Sequence, residues 1–175
     1  MKRCASIAKR KNSLGALLIV LALLCAGCTT VTRPDPTDFS GTKRHEAFGL
    51  SLTLPKAFKR FDEGTAVAFR PDPPSRTSPG VLVQRHDNAD AMRVLDAAYR
   101  KIATQMSGLP EPIQGRVGEQ EVMGIYSELV THLIWIYAPV RGDTVWTLQI
   151  IVPVDWTDET ALAFHDFVCQ NVRFP

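Results

Sequence analysis

His86, Asp87 and Asp90 form the tightest grouping in this 175-residue chain of side chains able to hold a metal ion or move a proton. Metal ligation asks for several His, Cys or carboxylate donors turned to one point, as residues three or four apart on a helix are. The trio falls where a strand gives way to a helix, and Asp87 or Asn88 has an ordinary task there, accepting hydrogen bonds from the first free N–H groups of the helix. It is therefore read as a cap rather than a ligand set. His45, His132 and His165 are scattered. His165 and Asp166 fall on the polar side of a C-terminal helix, where two solvated side chains are expected. No metal site and no cofactor follow from these spacings.

Nucleophilic catalysis by serine would show a Gly-x-Ser-x-Gly elbow followed by an acid and a histidine. No serine has that context. Gly115 and Gly118 lack the third glycine and the following helix of a phosphate cradle. Of the adjacent carboxylates, Asp62-Glu63 reads as a turn, and Asp158-Glu159 as a helix N-terminus, where the dipole favours negative charge. Arg141-Gly142-Asp143 spells an adhesion tripeptide, but Gly-Asp is also what a hairpin turn selects. No catalytic residue emerges, and the chain is read as a non-enzyme, with a hydrolase built from dispersed residues as an alternative. Two residues stand out as candidate partner contacts. Trp156 lies beside a proline-bounded helix start, and Arg76 lies in the Pro-rich segment 71–80 (PDPPSRTSPG).

The N-terminus has a different character. Lys2, Arg3, Lys9, Arg10 and Lys11 precede an apolar run of 14 residues, Leu14 to Gly27 (LGALLIVLALLCAG), with no acidic residue before it. That is the layout of a secretory leader, and the run falls short of the roughly 20 apolar residues of a stable span. Its end, Leu24-Cys25-Ala26-Gly27-Cys28, resembles a lipobox, with Cys25 standing where that pattern usually has Leu. The resemblance implies cleavage between Gly27 and Cys28 and acylation of Cys28. With each buried methylene adding about 0.8 kcal/mol, several chains would make attachment to membrane lipid effectively permanent. By the same resemblance, Thr29 after the cysteine implies the outer membrane, facing the periplasm, with inner-membrane anchoring or a soluble periplasmic form as alternatives. Cys4 and Cys25 would leave with the leader, so Cys169 is the one thiol expected to remain, read as a small buried hydrophobe.

Charge follows the leader. The chain's formal net charge is +2, and the leader holds five of its basic residues, so residues 28–175 carry a net −3. Without a basic stripe interleaved with aromatics, nucleic-acid partners are excluded. The spans are therefore a leader over 1–27, a polar tether over 28–44 and one globular domain over 45–175.

Period-two alternation over Phe48–Leu54 predicts a strand, ended by Pro55. Further strands are expected over 66–70, 81–86, in two pieces within 122–138 broken near 129–132, and over 145–152, with a turn at Arg141-Gly142-Asp143. Ala91, Leu95, Ala98, Ile102 and Met106 recur at helical spacing. A last helix, capped by Asp155 or Thr157, runs to about Gln170. The order predicts an α+β domain: a mostly antiparallel sheet with one long central helix and one C-terminal helix packed on it. Phe48-Gly-Leu-Ser-Leu-Thr-Leu-Pro55, the central helix and the closing Asn171-Val-Arg-Phe174 resemble the PsbP-like sandwich, seen also in DcrB-type lipoproteins. That resemblance carries no common catalytic set. The expected function is a membrane-anchored, non-catalytic role in binding or supporting another envelope protein, with a small-ligand carrier or sensor as an alternative. Metabolic labelling with an alkynyl fatty acid tests the anchor: the wild type should take up label, and Cys28→Ser should take up none.

Overall fold

The computed structural model describes residues 38, 40–72, 78–104 and 109–175; the leader, Cys28 and Arg76 lie outside the described residues. The chain opens with five strands, β1 (Thr42–Ala47), β2 (Leu50–Pro55), β3 (Phe58–Glu63), β4 (Ala66–Pro71) and β5 (Gly80–Asp87). Helix α1 (Ala91–Ala103) precedes β6 (Glu111–Val117), β7 (Gln120–Glu128), β8 (His132–Tyr137), β9 (Val140–Arg141) and β10 (Thr144–Pro153). Helix α2 (Asp158–Gln170) and the short β11 (Val172–Arg173) close the chain.

The strands form two sheets. The larger runs β3-β4-β5-β10-β8-β7-β6, with β9 paired to β10, and the smaller runs β1-β2-β11; every pairing is antiparallel. Strand β10 sits at the middle of the large sheet, and its side chains alternate between two cores. Trp146, Leu148, Ile150 and Val152 enter a core shared with Leu50, Leu52 and Leu54 of the small sheet and with Phe164 and Val168 of α2. On the opposite face Val145 joins Leu95 and Ile102 of α1 with Ile125, Ile134 and Ile136. Each fully buried aliphatic or aromatic side chain in these layers contributes about 1.5–3 kcal/mol.

The small sheet and α2 are fastened by local chemistry. Phe48 and Gly49, with φ of 51° and 83°, are both left-handed and turn β1 into β2 as a two-residue hairpin. The Phe48 carbonyl accepts from Trp146 Nε1 at 3.1 Å. Thr157 caps α2 by accepting from the Thr160 N–H at 3.2 Å, with Asp158 and Glu159 in the first turn where the dipole favours them. At the other end, Asn171 donates to the Phe167 carbonyl at 2.9 Å, and its own carbonyl receives the Thr53 N–H at 3.1 Å. Gly118, at φ 59°, donates its N–H to the Cys169 carbonyl at 2.7 Å, and a Cβ there would lie 2.7 Å from the Val172 carbonyl. Only a glycine lets the β6–β7 hairpin approach α2 that closely.

Four strands were not foreseen from the pattern: the two-residue β9, and β1, β3 and β6, which are all sheet edges. Strand β1 places Thr42 to Arg44, expected in the tether, in a ladder with β2. Phe48-Gly49, expected inside the first strand, is a turn instead. Asp62-Glu63, expected in a turn, ends β3, where Asp62 pairs with Arg60 at 2.8 Å and Glu63 with Arg70 at 3.1 Å. The break near 129–132 lies between β7 and β8, closed by a hydrogen bond from Leu129 N to His132 O at 2.7 Å. The central helix is capped by Asp90, which accepts from Arg93 N at 3.0 Å, rather than by Asp87 or Asn88.

His45 is the one inward polar residue of β1. Its ring lies 5.1 Å from that of Phe69, it is 9% exposed, and its Nε2 is buried without a hydrogen-bond partner. Burial, and then the charges of Lys43 and Arg60, hold its pKa below the ordinary value of 6.5. The unfolded chain therefore takes up a proton more readily than the folded one. The stability that His45 allows is complete above about pH 6.5 and is lost as the pH falls from there through the lower folded value. Urea unfolding of the wild type should show a midpoint that drops across that window, and the drop should be smaller in His45→Leu.

Candidate functional site

Central strands covered on both sides read as near-continuous apolar runs, and β10 departs from this on the α1 side. Val145, Thr147, Gln149 and Ile151 alternate there, so two of four positions are polar. On neighbouring β5, Gln84 stands directly opposite Thr147, and His86 lies one step further along the same face. His86 Nε2 and Thr147 Oγ1 are 3.0 Å apart, which accounts for the buried threonine hydroxyl. The side-chain amides of Gln84 and Gln149 are half-buried, and among the described residues they make no hydrogen bond to the protein.

Helix α1 lies to one side of this polar strip. Its packing is on β7, β8 and β10, and Leu95 and Ile102 are the residues it buries. Its flank carries Val94, Ala98 and Lys101 at helical spacing, and between that flank and the strip runs a groove of about 270 Å³. Ile134 and Ile136 of β8, with Leu129, complete the lining. The volume is just under the usual range of about 300–1,000 Å³ for ligand pockets, and the make-up, apolar walls with a few convergent polar groups, matches it. A second concavity of about 410 Å³ is built from the β6–β7 hairpin alone, by Gln114, Gly115, Arg116, Glu121, Val122 and Met123. A hairpin surface without an opposing wall surrounds little of a ligand, so the α1 groove is the better candidate.

On the other face of the large sheet the structure gathers a thiol, an imidazole, a carboxylate and a phenol. His165 is not solvated as the sequence suggested: its ring packs 5.0 Å from Trp135 and 5.7 Å from Tyr137. Tyr137 Oη lies 2.8 Å from His165 Nε2, and His165 Nδ1 lies 2.9 Å from Asp166 Oδ1. An ionised carboxylate only accepts, so in the neutral ring Nδ1 carries the hydrogen and Nε2 accepts from the tyrosine. Cys169 Sγ is 3.6 Å from the same Nε2. The composition is that of a cysteine hydrolase, and the setting is the opposite. Tyr137 is 2% exposed and Cys169 4%. Burial, and then Asp166, push the Cys169 thiol up to about 12, and burial raises Tyr137 as well. A thiol held protonated and away from solvent is inert.

The relay is a fastener. Tyr137 reaches α2 by crossing two glycines: a Cβ on Gly124 would lie 2.7 Å from its ring, and one on Gly115 2.8 Å. No sequence spacing announced this cluster, because His165 and Tyr137 stand 28 residues apart on different elements. The glycines on adjacent strands were its only trace.

The residues singled out from sequence fare differently. His86 joins the groove, whereas Asp87 turns to Arg85 at 2.7 Å and Thr144 at 3.2 Å, and Asp90 is occupied as the cap. The hydrogen bond from Arg85 keeps the Asp87 carboxyl below its usual range. Among the described residues no group of three or more His, Cys, Asp or Glu is placed to hold a metal. Trp156, expected at the surface, is half-buried with its ring edge-on to Phe164 at 5.9 Å. Among the described residues no helix is long and apolar enough to cross a membrane.

No protein-family model matches the chain, and no curated protein is similar to it. Solved structures are. The solution structure of cyanobacterial PsbP (CyanoP) from Synechocystis sp. PCC 6803 aligns with a TM-score of 0.57 at 13% identity, over 83% of this chain and 99% of that one. A crystal structure from Bacteroides thetaiotaomicron VPI-5482 aligns with a TM-score of 0.49 at 14% identity, over 77% of this chain. The chain spans about half the length of that second protein, 48%. The fold is thus an α+β sandwich of the PsbP-like kind, the class the sequence pattern predicts and the form its resemblance implied. The relay itself is open to test: Tyr137→Phe leaves His165 Nε2 without its donor and should cost about 1–3 kcal/mol. A shift of the urea midpoint at unchanged m-value would measure it, and an unchanged midpoint would remove the relay from the account of the fold.

Proposed function

We propose that this chain is an exported lipoprotein, anchored through Cys28, whose domain binds or supports another component of the cell envelope without catalysing a reaction. Cys28, with Ala26-Gly27 before it at the end of an apolar run, supports the anchor, and Thr29 supports the outer membrane facing the periplasm. A net charge of −3 over residues 28–175 supports a protein or lipid partner over a nucleic acid.

One observation carries the non-catalytic reading. The Cys169–His165–Asp166 grouping, which has the composition for covalent catalysis, is spent on holding α2 to the sheet, with its thiol kept protonated by burial. Residues consumed by the fold in this way are not free to turn over a substrate. The small-ligand reading is favoured by a separate observation, the donor-lined groove beside α1.

In-cell crosslinking of the full-length protein, followed by pull-down, checks the role. Repeated recovery of one envelope protein is the expected result, retained in Cys169→Ala because the thiol takes no part. Recovery of lipid-processing enzymes alone would count against a scaffolding role.

A further inference from the structure

The polar strip beside α1 has no structural purpose of its own. Polar side chains on the middle strands of a sheet are unfavourable where they are cut off from partners, and Gln84 and Gln149, half-buried on two adjacent central strands, keep contact with an open groove instead. Thr147 and His86 satisfy one another, while Gln84 and Gln149 both line the groove and show no side-chain hydrogen bond to the protein among the described residues. They are placed as groups awaiting something that enters.

The chemistry of the lining narrows what that is. Beside the mutually bonded His86–Thr147 pair, Gln84, Gln149 and Lys101 offer hydrogen-bond donors, and no Asp or Glu lines the groove. Lys101 forms no ion pair among the described residues. The walls are aliphatic: Val94, Ile102, Ile134 and Ile136. A volume of about 270 Å³ admits a short chain and excludes a whole phospholipid. We propose that the groove between α1 and strands β5 and β10 binds a small amphiphile with an aliphatic body and a carboxylate head. The body lies along Ile102, Ile134 and Ile136, and the head takes donors from the glutamine amides and the Lys101 ammonium. This site goes beyond the scaffolding role and does not depend on it, because the groove lies on the face of the sheet opposite α2 and the small sheet.

The test uses the full-length protein in lipid nanodiscs, with empty discs as the blank and a diazirine-bearing octanoate as the probe. Photolabelling should be saturable, should map by mass spectrometry to peptides of β5, β10 and α1, and should be displaced by octanoate but not by octylammonium. Lys101 is exposed, so Lys101→Gln leaves the fold alone and should weaken displacement by octanoate about tenfold, as loss of a charge-assisted contact implies. Ala98→Phe, checked for native unfolding behaviour, should abolish labelling by filling the groove. Labelling that is not saturable, or that maps elsewhere, overturns the site. Equal displacement by octylammonium, or indifference to Lys101→Gln, overturns the carboxylate head. Crosslinking to an envelope protein is unaffected by any of these outcomes, so a failure here is distinct from a failure of the scaffolding role.

Discussion

The two-sided alternation of β10 is the constraint on which the rest of the structure depends. Its inward residues, Trp146, Leu148, Ile150 and Val152, are buried against the small sheet and α2, while its outward residues meet α1 and its surroundings. A shift of one residue in register would exchange these sets and send Gln149 and Thr147 into the main core. The ladders to β5 and β8, eight and six paired positions long, hold that register. Every other layer takes its position from it.

The two faces of the same strand are used for different ends. On the inner face polar groups are few, and apart from His45 Nε2 the main ones are satisfied by one another, as Tyr137, His165 and Asp166 are. Gly115 and Gly124 give the tyrosine its path across the sheet, and its hydroxyl fixes α2. On the outer face the sequence tolerates glutamines and a histidine on central strands, and α1 is set beside them rather than over them. The inner face thus specifies the fold, and the outer face leaves a groove open beside α1.

The elements with strong periodicity were legible in the sequence. Helix α1 declared itself through Ala91, Leu95, Ala98 and Ile102, and α2 through Ala161, Phe164 and Val168. Strands β2, β4, β5, β8 and β10 followed from alternation or from unbroken apolar runs. Strands β1, β3 and β6 did not, for a common reason. An edge strand buries one face incompletely and carries charges or proline to discourage further pairing, as TKRHEA, FKRFDE and EPIQGRV do. Their apolar period is too sparse to read, and they form because a neighbour presents an unpaired ladder.

The sequence by itself determined the α+β class, the interior strands, both helices and the lone thiol of the domain, because each rests on a local period or on a count. It also carries the Cys28 motif that motivates an anchor. The tertiary structure decided the side chains' neighbours. His165 sits on the flank of an amphipathic helix and looks solvated in one dimension, yet the crossing of Tyr137 over two glycines brings a phenol to it. His86 and Thr147 come together across 61 residues. The groove exists only because α1 packs to one side of β10, a choice set by how side chains on four strands interlock. Periodicity fixes which face of an element is buried, and only packing fixes what lies opposite it.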